Sequence, residues 1–128
     1  MAVAPLVKNN TLEDKLESAI DWELALSLTD NNREFAEKML DLLVKDLPEE
    51  IDSIKKAYAN NKQIELAQRI HKLHGALCYC GAAKLKMAAA TLEKAVTDKS
   101  EKEIPHLLLQ LEKKAKYLVE EVHRLHKK

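Results

Sequence analysis

Two histidines and two cysteines lie close together near the middle of the chain, within residues 71–80. The surrounding pattern is helical, so residues three, four and seven positions apart share a face. One strip of that helix therefore consists of His71, His74, Gly75 and Cys78. A neutral imidazole nitrogen can act as a nucleophile, a general base or a metal ligand. The apolar residues on either side of His71 are expected to face a core, which places His71 at the core's border, held by packing and open to solvent on one side.

Gly75 is the most informative residue of this strip. Glycine inside a helix costs roughly 1 kcal/mol relative to alanine, so some other feature should offset that cost. Either a neighbouring helix packs closely there, or bare backbone is left for the approach of another molecule. The charge pattern favours the second explanation. Residues 62–86 contain one acidic residue, Glu65, and five basic residues: Lys62, Arg69, Lys72, Lys84 and Lys86. Such a patch can steer an acidic or phosphorylated partner towards His71, although a solvated helix face is the plain alternative.

A metal site is a competing interpretation of the same residues. Histidine and cysteine are zinc ligands, and His71, His74 and Cys78 share a face. Three consecutive turns of a straight helix place ligands in a row, so a tetrahedral site would need a fourth ligand from elsewhere. Cys78 and Cys80 are also explained as small apolar side chains in or beside the core. Their spacing is not that of a thioredoxin-like redox motif.

The elements that position these residues are predicted to be helices. The chain has 128 residues with only two glycines and three prolines, and it is rich in Leu, Ala, Lys and Glu, which are strong helix formers. Its length suits one domain with a substantial core. The formal net charge is zero, from 21 basic and 21 acidic residues, which argues against a nucleic-acid binder. The sequence has no apolar run of about 18 residues, so we expect a soluble protein of a reducing compartment.

The pattern of apolar residues predicts an all-α fold, an antiparallel up-down four-helix bundle with short N-terminal capping helices. Residues 1–10 are predicted to be a linker or a disordered N-terminus, and residues 11–128 the bundle domain. Short helical segments are expected at Leu12–Ala19 and Ile20–Leu26. A purely structural helical interaction module, with a final helix that extends a coiled coil, would show the same pattern.

Capping signals and apolar stripes set the expected bounds of the four long helices. The first begins after a cap at Asn31, is bent or divided at Pro48, and faces the core with Phe35, Met39, Leu42, Leu43 and Leu47. The others run from a cap at Asn60 to a stop at Gly81, from Ala82 to about Thr97, and from Ile104 to Leu125.

The segment resembles the histidine-containing phosphotransfer (HPt) domains of multistep phosphorelays. Their mark is H-x-x-K-G on a helix of a four-helix bundle, usually followed by a second Gly-Ala. This chain has His71-Lys72-Leu73-His74-Gly75 and then Gly81-Ala82. Ile20–Leu26 is similar to the corresponding segment in the C-terminal HPt domain of BarA/GacS-type hybrid sensor histidine kinases, which also have histidine in place of the lysine.

The resemblance implies that His71 accepts a phosphoryl group from a receiver-domain aspartate and passes it to a response-regulator aspartate. It implies that magnesium sits on the receiver, so that no metal or other cofactor is expected on this domain, and that the domain is not an autonomous enzyme. We expect a monomer without nucleic-acid or membrane contact. It would be cytoplasmic, either free-standing or as the C-terminal domain of a membrane-bound sensor kinase.

The resemblance also assigns roles to single residues. In such domains Nε2 of the histidine carries the phosphoryl group, so Nδ1 must keep its proton. Glu93 is the expected acceptor, because a helical hairpin that turns near Gly81 places it level with His71. His74 occupies the accessory position, with a charge that would depend on pH. Receivers are expected to dock over Arg69, Lys72, Gly75, Cys78 and Lys84.

Overall fold

The computed structural model of the chain describes residues 18–126, and over that range it contains five helices. They are α1 (Trp22–Leu28), α2 (Arg33–Ala59), α3 (Gln63–Leu77), α4 (Ala83–Thr97) and α5 (Ile104–Leu125). The predicted linker at residues 1–10 and most of the predicted Leu12–Ala19 segment lie outside the described residues. None of the helices within 18–126 is long and apolar enough to cross a membrane.

The four long helices form a closed ring. α2 contacts α3, α3 contacts α4, α4 contacts α5, and α5 returns to α2. Because the connections between them are short, successive helices run antiparallel, which confirms the predicted up-down bundle. The core is filled from all four helices, and its largest fully buried side chains are mainly leucine and isoleucine: Leu40, Leu47, Ile54, Leu66, Ile70, Leu77, Leu85, Leu92, Ile104, Leu111, Leu118 and Val122.

The predicted core face of α2 was wrong in its first half. Phe35 and Leu42 are exposed, and the buried face consists of Ala36, Leu40, Val44, Leu47, Ile51, Ile54 and Ala57.

The helix begins one residue later than predicted, because Asn31 has a left-handed backbone (φ 64°) and Asn32 is the N-cap. The Asn32 side chain accepts a hydrogen bond from the Phe35 amide. Pro48 does not divide α2, which continues through it to Ala59.

The bounds of α3 also differ from the prediction. Asn60 is the C-cap of α2, and Asn61 makes the turn with a φ of 56°. Lys62 is the N-cap of α3 and contributes no side-chain hydrogen bond. α3 ends at Leu77, four residues before the predicted stop. The bounds predicted for the third and fourth long helices are confirmed to within one residue.

Gly81 joins the N-terminal segment to the turn between α3 and α4. Its φ of +67° is left-handed, and a Cβ there would lie 2.6 Å from the Cβ and 2.9 Å from the Cα of Ala25. The Asp21 amide donates to the Gly81 carbonyl over 2.8 Å. The Arg33 guanidinium lies 3.7 Å from the centre of the Trp22 ring, which fixes α1 against the start of α2. The predicted segment at Ile20–Leu26 thus caps this end of the bundle.

Candidate phosphotransfer site

The reactive side chains lie on α3 and α4, which are antiparallel neighbours. His71 and Glu93 project from facing turns, so that Nδ1 of His71 lies 2.6 Å from Oε2 of Glu93. Nδ1 of His74, one turn further along α3, lies 2.8 Å from the other carboxylate oxygen, Oε1. One carboxylate therefore serves two imidazole rings, one on each oxygen.

His71 is far more exposed than the other two side chains. The His71 side chain is 78% exposed, whereas the side chains of His74 and Glu93 are only 27% and 25% exposed. The prediction that packing holds His71 at the border of the core was wrong, since its ring stands in solvent. The bond to Glu93 orients the His71 ring instead.

Glu93 is an ionised hydrogen-bond acceptor in this arrangement. Partial burial alone would raise the pKa of its carboxyl group, but the hydrogen bonds from His71 and His74 outweigh burial and leave the pKa below the ordinary value of 4.5. An ionised carboxylate can only accept, so both Nδ1 atoms carry a proton. The free lone pair of neutral His71 is consequently on Nε2, on the exposed ring, where an electrophile can reach it.

Gly75 leaves bare backbone on the same strip. A Cβ built at Gly75 meets no heavy atom within 4 Å, so the interpretation that a neighbouring helix packs closely there was wrong. The surface next to His71 is open, as the charge pattern predicted. A partner can therefore approach the helix backbone one turn from the imidazole.

The two cysteines have different environments. Cys80 is buried, its thiol donates to the Ala76 carbonyl over 3.4 Å, and burial raises its pKa. Its interpretation as a small apolar side chain is confirmed. Cys78 is exposed, so the same interpretation was wrong for that residue, which lies on the strip with His71 and Gly75.

The predicted docking cations lie around the site rather than at it. Nε of Arg69 pairs with Oε2 of Glu65 over 2.8 Å, which offsets one positive charge of the basic patch. Lys72 is exposed on the flank of α3 that faces α2. Lys84 lines a groove between α4 and α5 together with Leu107, so the structure does not bring it together with His71.

An apolar groove beside this strip was missed by sequence reasoning. It has a volume of about 400 Å³, lies between α2 and α3, and is lined in part by Leu42, Lys72, Ala76 and Tyr79. Leu42 and Tyr79 are among the exposed large apolar residues of the domain. The stripe predicted for α2 assigned Leu42 to the core, and that assignment concealed its place on the surface.

The zinc interpretation of this segment finds no support. Among residues 18–126, no three or more histidine, cysteine, aspartate or glutamate side chains are grouped in a way that could hold a metal ion. His71 and His74 direct the same ring nitrogen, Nδ1, to a carboxylate of the protein. Cys78 lies on the strip without completing a ligand set.

Comparison with known proteins yields consistent matches. The family model described as an Hpt domain matches residues 38–125. The chain is 36% identical over 74 residues to the sensor histidine kinase GacS of Pseudomonas protegens, 35% identical over 91 residues to the sensor protein GacS of Pseudomonas syringae, and 30% identical over 76 residues to the signal transduction histidine-protein kinase BarA of Escherichia coli K12. These alignments cover 58%, 70% and 59% of this chain, and 8%, 10% and 8% of the respective relatives.

A solved structure has the same fold. It is the HPT domain from the Hpt sensor hybrid histidine kinase from Shewanella, which matches with a TM-score of 0.74 at 29% identity. The match covers 84% of this chain and 92% of that one. The likeness therefore extends over nearly the whole of the solved domain, whereas the chain spans at most a tenth of the GacS and BarA relatives.

Proposed function

The chain belongs to the Hpt domain family, the phosphotransfer domains of two-component phosphorelays, and on that premise we propose that His71 is the residue that carries the phosphoryl group. In this proposal His71 takes the group from an aspartyl phosphate on the receiver domain of a hybrid sensor kinase. It then yields the group to the aspartate of a response regulator.

One observation supports the choice of His71 above all others. Its Nδ1 is bonded to Glu93 over 2.6 Å while its ring is 78% exposed. The protonated nitrogen is thus held by the protein, and the nucleophilic nitrogen, Nε2, is accessible to a partner. His74 also bonds Glu93, but its side chain is only 27% exposed, which makes it a poor acceptor for a group held by another protein.

Atoms and electrons balance between the two proteins in each transfer step. The Nε2 lone pair of His71 attacks the phosphorus of the acyl phosphate, an N–P bond forms, and the P–O bond to the receiver's aspartate breaks. The aspartate leaves as a carboxylate. The ring keeps its Nδ1 proton and gains positive character, which the Glu93 carboxylate offsets. In the return step, the carboxylate of the second receiver attacks phosphorus, and Nε2 regains its lone pair.

The family places little catalytic demand on this domain. Transfer of a phosphoryl group depends mainly on alignment and on neutralisation of charge. We propose that the magnesium ion and the carboxylates that bind it are supplied by the receiver. This domain would provide the nucleophile, its orientation and a docking surface, and it would not be an enzyme by itself.

The open strip at Gly75 is the proposed centre of docking. Bare backbone there lets a receiver bring its aspartyl phosphate within reach of Nε2. Lys72 would offer a positive charge to the acidic receiver, and the groove with Leu42 and Tyr79 would offer apolar contact area. Cys78, exposed on the same strip, would lie at the edge of this contact.

The protein to which the domain belongs, and its place in the cell, are also proposals. Relatives such as GacS and BarA are named as sensor or signal transduction kinases, and this chain aligns with only 8–10% of their length. We propose that the domain works in the cytoplasm as a monomer, as a separate protein or as the C-terminal domain of a membrane-bound sensor kinase.

The test uses a phosphorylated receiver as the donor. Receivers of GacS- and BarA-type kinases, loaded with a small acyl phosphate and magnesium, are mixed with the chain, and the phosphorylated domain is detected by its gel shift. We expect His71→Gln to abolish the shift and His106→Gln, an exposed histidine on α5, to leave it unchanged. Full labelling of His71→Gln would contradict the assignment. Labelling of the chain by ATP and magnesium alone would contradict the absence of autonomous catalysis.

A further inference from the structure

His74 and His71 bind Glu93 at the same time, because each ring bonds a different oxygen of the carboxylate. The distances are 2.8 Å from His74 to Oε1 and 2.6 Å from His71 to Oε2. Both bonds come from Nδ1, so the same tautomer is imposed on both rings. The carboxylate plane is defined by two partners rather than one, which restricts its rotation.

The two partners are not equivalent in how firmly they are held. The His74 side chain is nearly three-quarters covered, whereas His71 stands largely in solvent. A bond between an exposed imidazole and a flexible glutamate competes with water and with side-chain entropy. His74 and Glu93 are both sheltered, so water competes less for their mutual bond than for the bond to His71, even though the His71 bond is the shorter, at 2.6 Å against 2.8 Å. The covered His74 ring therefore restrains the Glu93 carboxylate, and the carboxylate in turn orients the exposed His71 ring.

We propose that His74 is a positioning residue of the transfer site: its Nδ1–H bond to Oε1 holds the Glu93 carboxylate in the orientation in which Oε2 accepts from Nδ1 of His71. His74 thereby keeps the His71 lone pair on Nε2, the nitrogen that faces the partner. The inference rests on the proposed function of His71 for its effect on transfer, but not for its effect on the His71 tautomer.

Two variants of similar size distinguish a hydrogen-bond role of His74 from mere packing. In His74→Asn, the side-chain NH₂ occupies nearly the place of Nδ1 and can donate to Oε1 of Glu93. In His74→Leu, the shape is similar but the donor is lost. Position 74 is in the last turn of α3 and partly exposed, so neither change places a polar group in the core. Circular dichroism of each variant serves as the control, and we expect the helix content of the parent chain in both.

The first measurement is the ¹⁵N NMR signature of the His71 ring in the full chain, recorded at about pH 9, above the range in which an ordinary imidazole titrates. In the parent chain and in His74→Asn we expect a protonated Nδ1 and an unprotonated Nε2. In His74→Leu we expect both signals to move towards the average of the two tautomers. An unchanged His71 spectrum in His74→Leu overturns the proposal, and so does an equal change in both variants.

The second measurement is the rate of transfer from a phosphorylated receiver. We expect His74→Leu to lower the rate by about tenfold, since the orientation of the nucleophile as well as its tautomer is lost, and His74→Asn to restore most of it. A normal rate in His74→Leu overturns the positioning role while leaving His71 as the acceptor. If the parent chain is never labelled on His71, the proposed function fails, and the NMR result still decides the role of His74.

Discussion

Glu93 accepts one hydrogen bond on each oxygen, and this arrangement determines which nitrogen of His71 can react. The pairing of Glu93 with His71 could be predicted from sequence, because a helical hairpin with a short turn places the two residues at the same level. The second bond, to His74, could not be predicted. It depends on the side-chain rotamers of three residues, and sequence spacing leaves those open.

Acid should weaken the fold through Glu93. The pKa of its carboxyl group is lowered in the folded chain, so its contribution to stability is present above the ordinary carboxyl pKa and is lost as pH falls through the lowered value. We expect the free energy of unfolding of the parent chain to fall more steeply from about pH 5 to about pH 3 than that of Glu93→Gln. Urea unfolding at several pH values measures both slopes. Equal slopes would show that the carboxylate gains nothing from its two histidines.

The two glycines should respond in opposite ways to the same substitution, and Gly75 should gain stability. A Cβ at Gly75 enters open space, so Gly75→Ala should stabilise the domain by about 0.5 kcal/mol through helix propensity near a helix end. Gly75→Leu should keep the helix content and yet block transfer, because its side chain covers the approach to His71. If Gly75→Leu instead unfolded the domain, with transfer following only the folded fraction, Gly75 would serve packing.

At the scale of the elements, helix type and number were more predictable than helix ends. Apolar stripes with a period of 3.6 residues identify α3, α4 and α5, and each of these helices is present in the structure. The stripe of α2 misled, because apolar residues occur on two of its faces: the predicted stripe followed Phe35 and Leu42, whereas the buried stripe, with Ala36 and Leu40, is offset by one residue. A one-residue error rotates the assigned face by about 100°. The sequence pattern predicts only a helix stop at Gly81, since Ala25, which Gly81 contacts in the structure, lies in a distant part of the sequence.

Gly81→Ala should destabilise the domain. A left-handed alanine costs roughly 1–2 kcal/mol, and the new Cβ would lie only 2.6 Å from the Cβ of Ala25 and 2.9 Å from its Cα. We therefore expect a loss of about 2 kcal/mol or more in the free energy of unfolding, measured by urea denaturation. Gly75→Ala is the matched control, with the same added methyl group in open space. Similar stabilities for the two variants would refute the contact between Gly81 and α1.

At the scale of the whole molecule, the core of the bundle stabilises the fold, and the reactive side chains lie on its surface. The ring of four helices buries its apolar faces inwards, and the proposed transfer site lies on the outer surface of α3 and α4. The formal net charge of zero conceals an uneven distribution, since the basic residues between 62 and 86 outnumber the acidic ones five to one. The structure refines that pattern: Arg69 is paired with Glu65, and Lys84 faces away towards α5. Lys72 and the apolar groove beside it are left as the flank next to Gly75.

Mass-spectrometric mapping of the phosphorylated chain, after transfer from a phosphorylated receiver, tests the central claim most directly. We predict a phosphoryl group on His71 and none on His74 or on the histidines of α5. We also predict that His71→Gln carries no phosphoryl group under the same conditions. Phosphorylation of a different residue in the parent chain, or undiminished phosphorylation of His71→Gln, would contradict that claim.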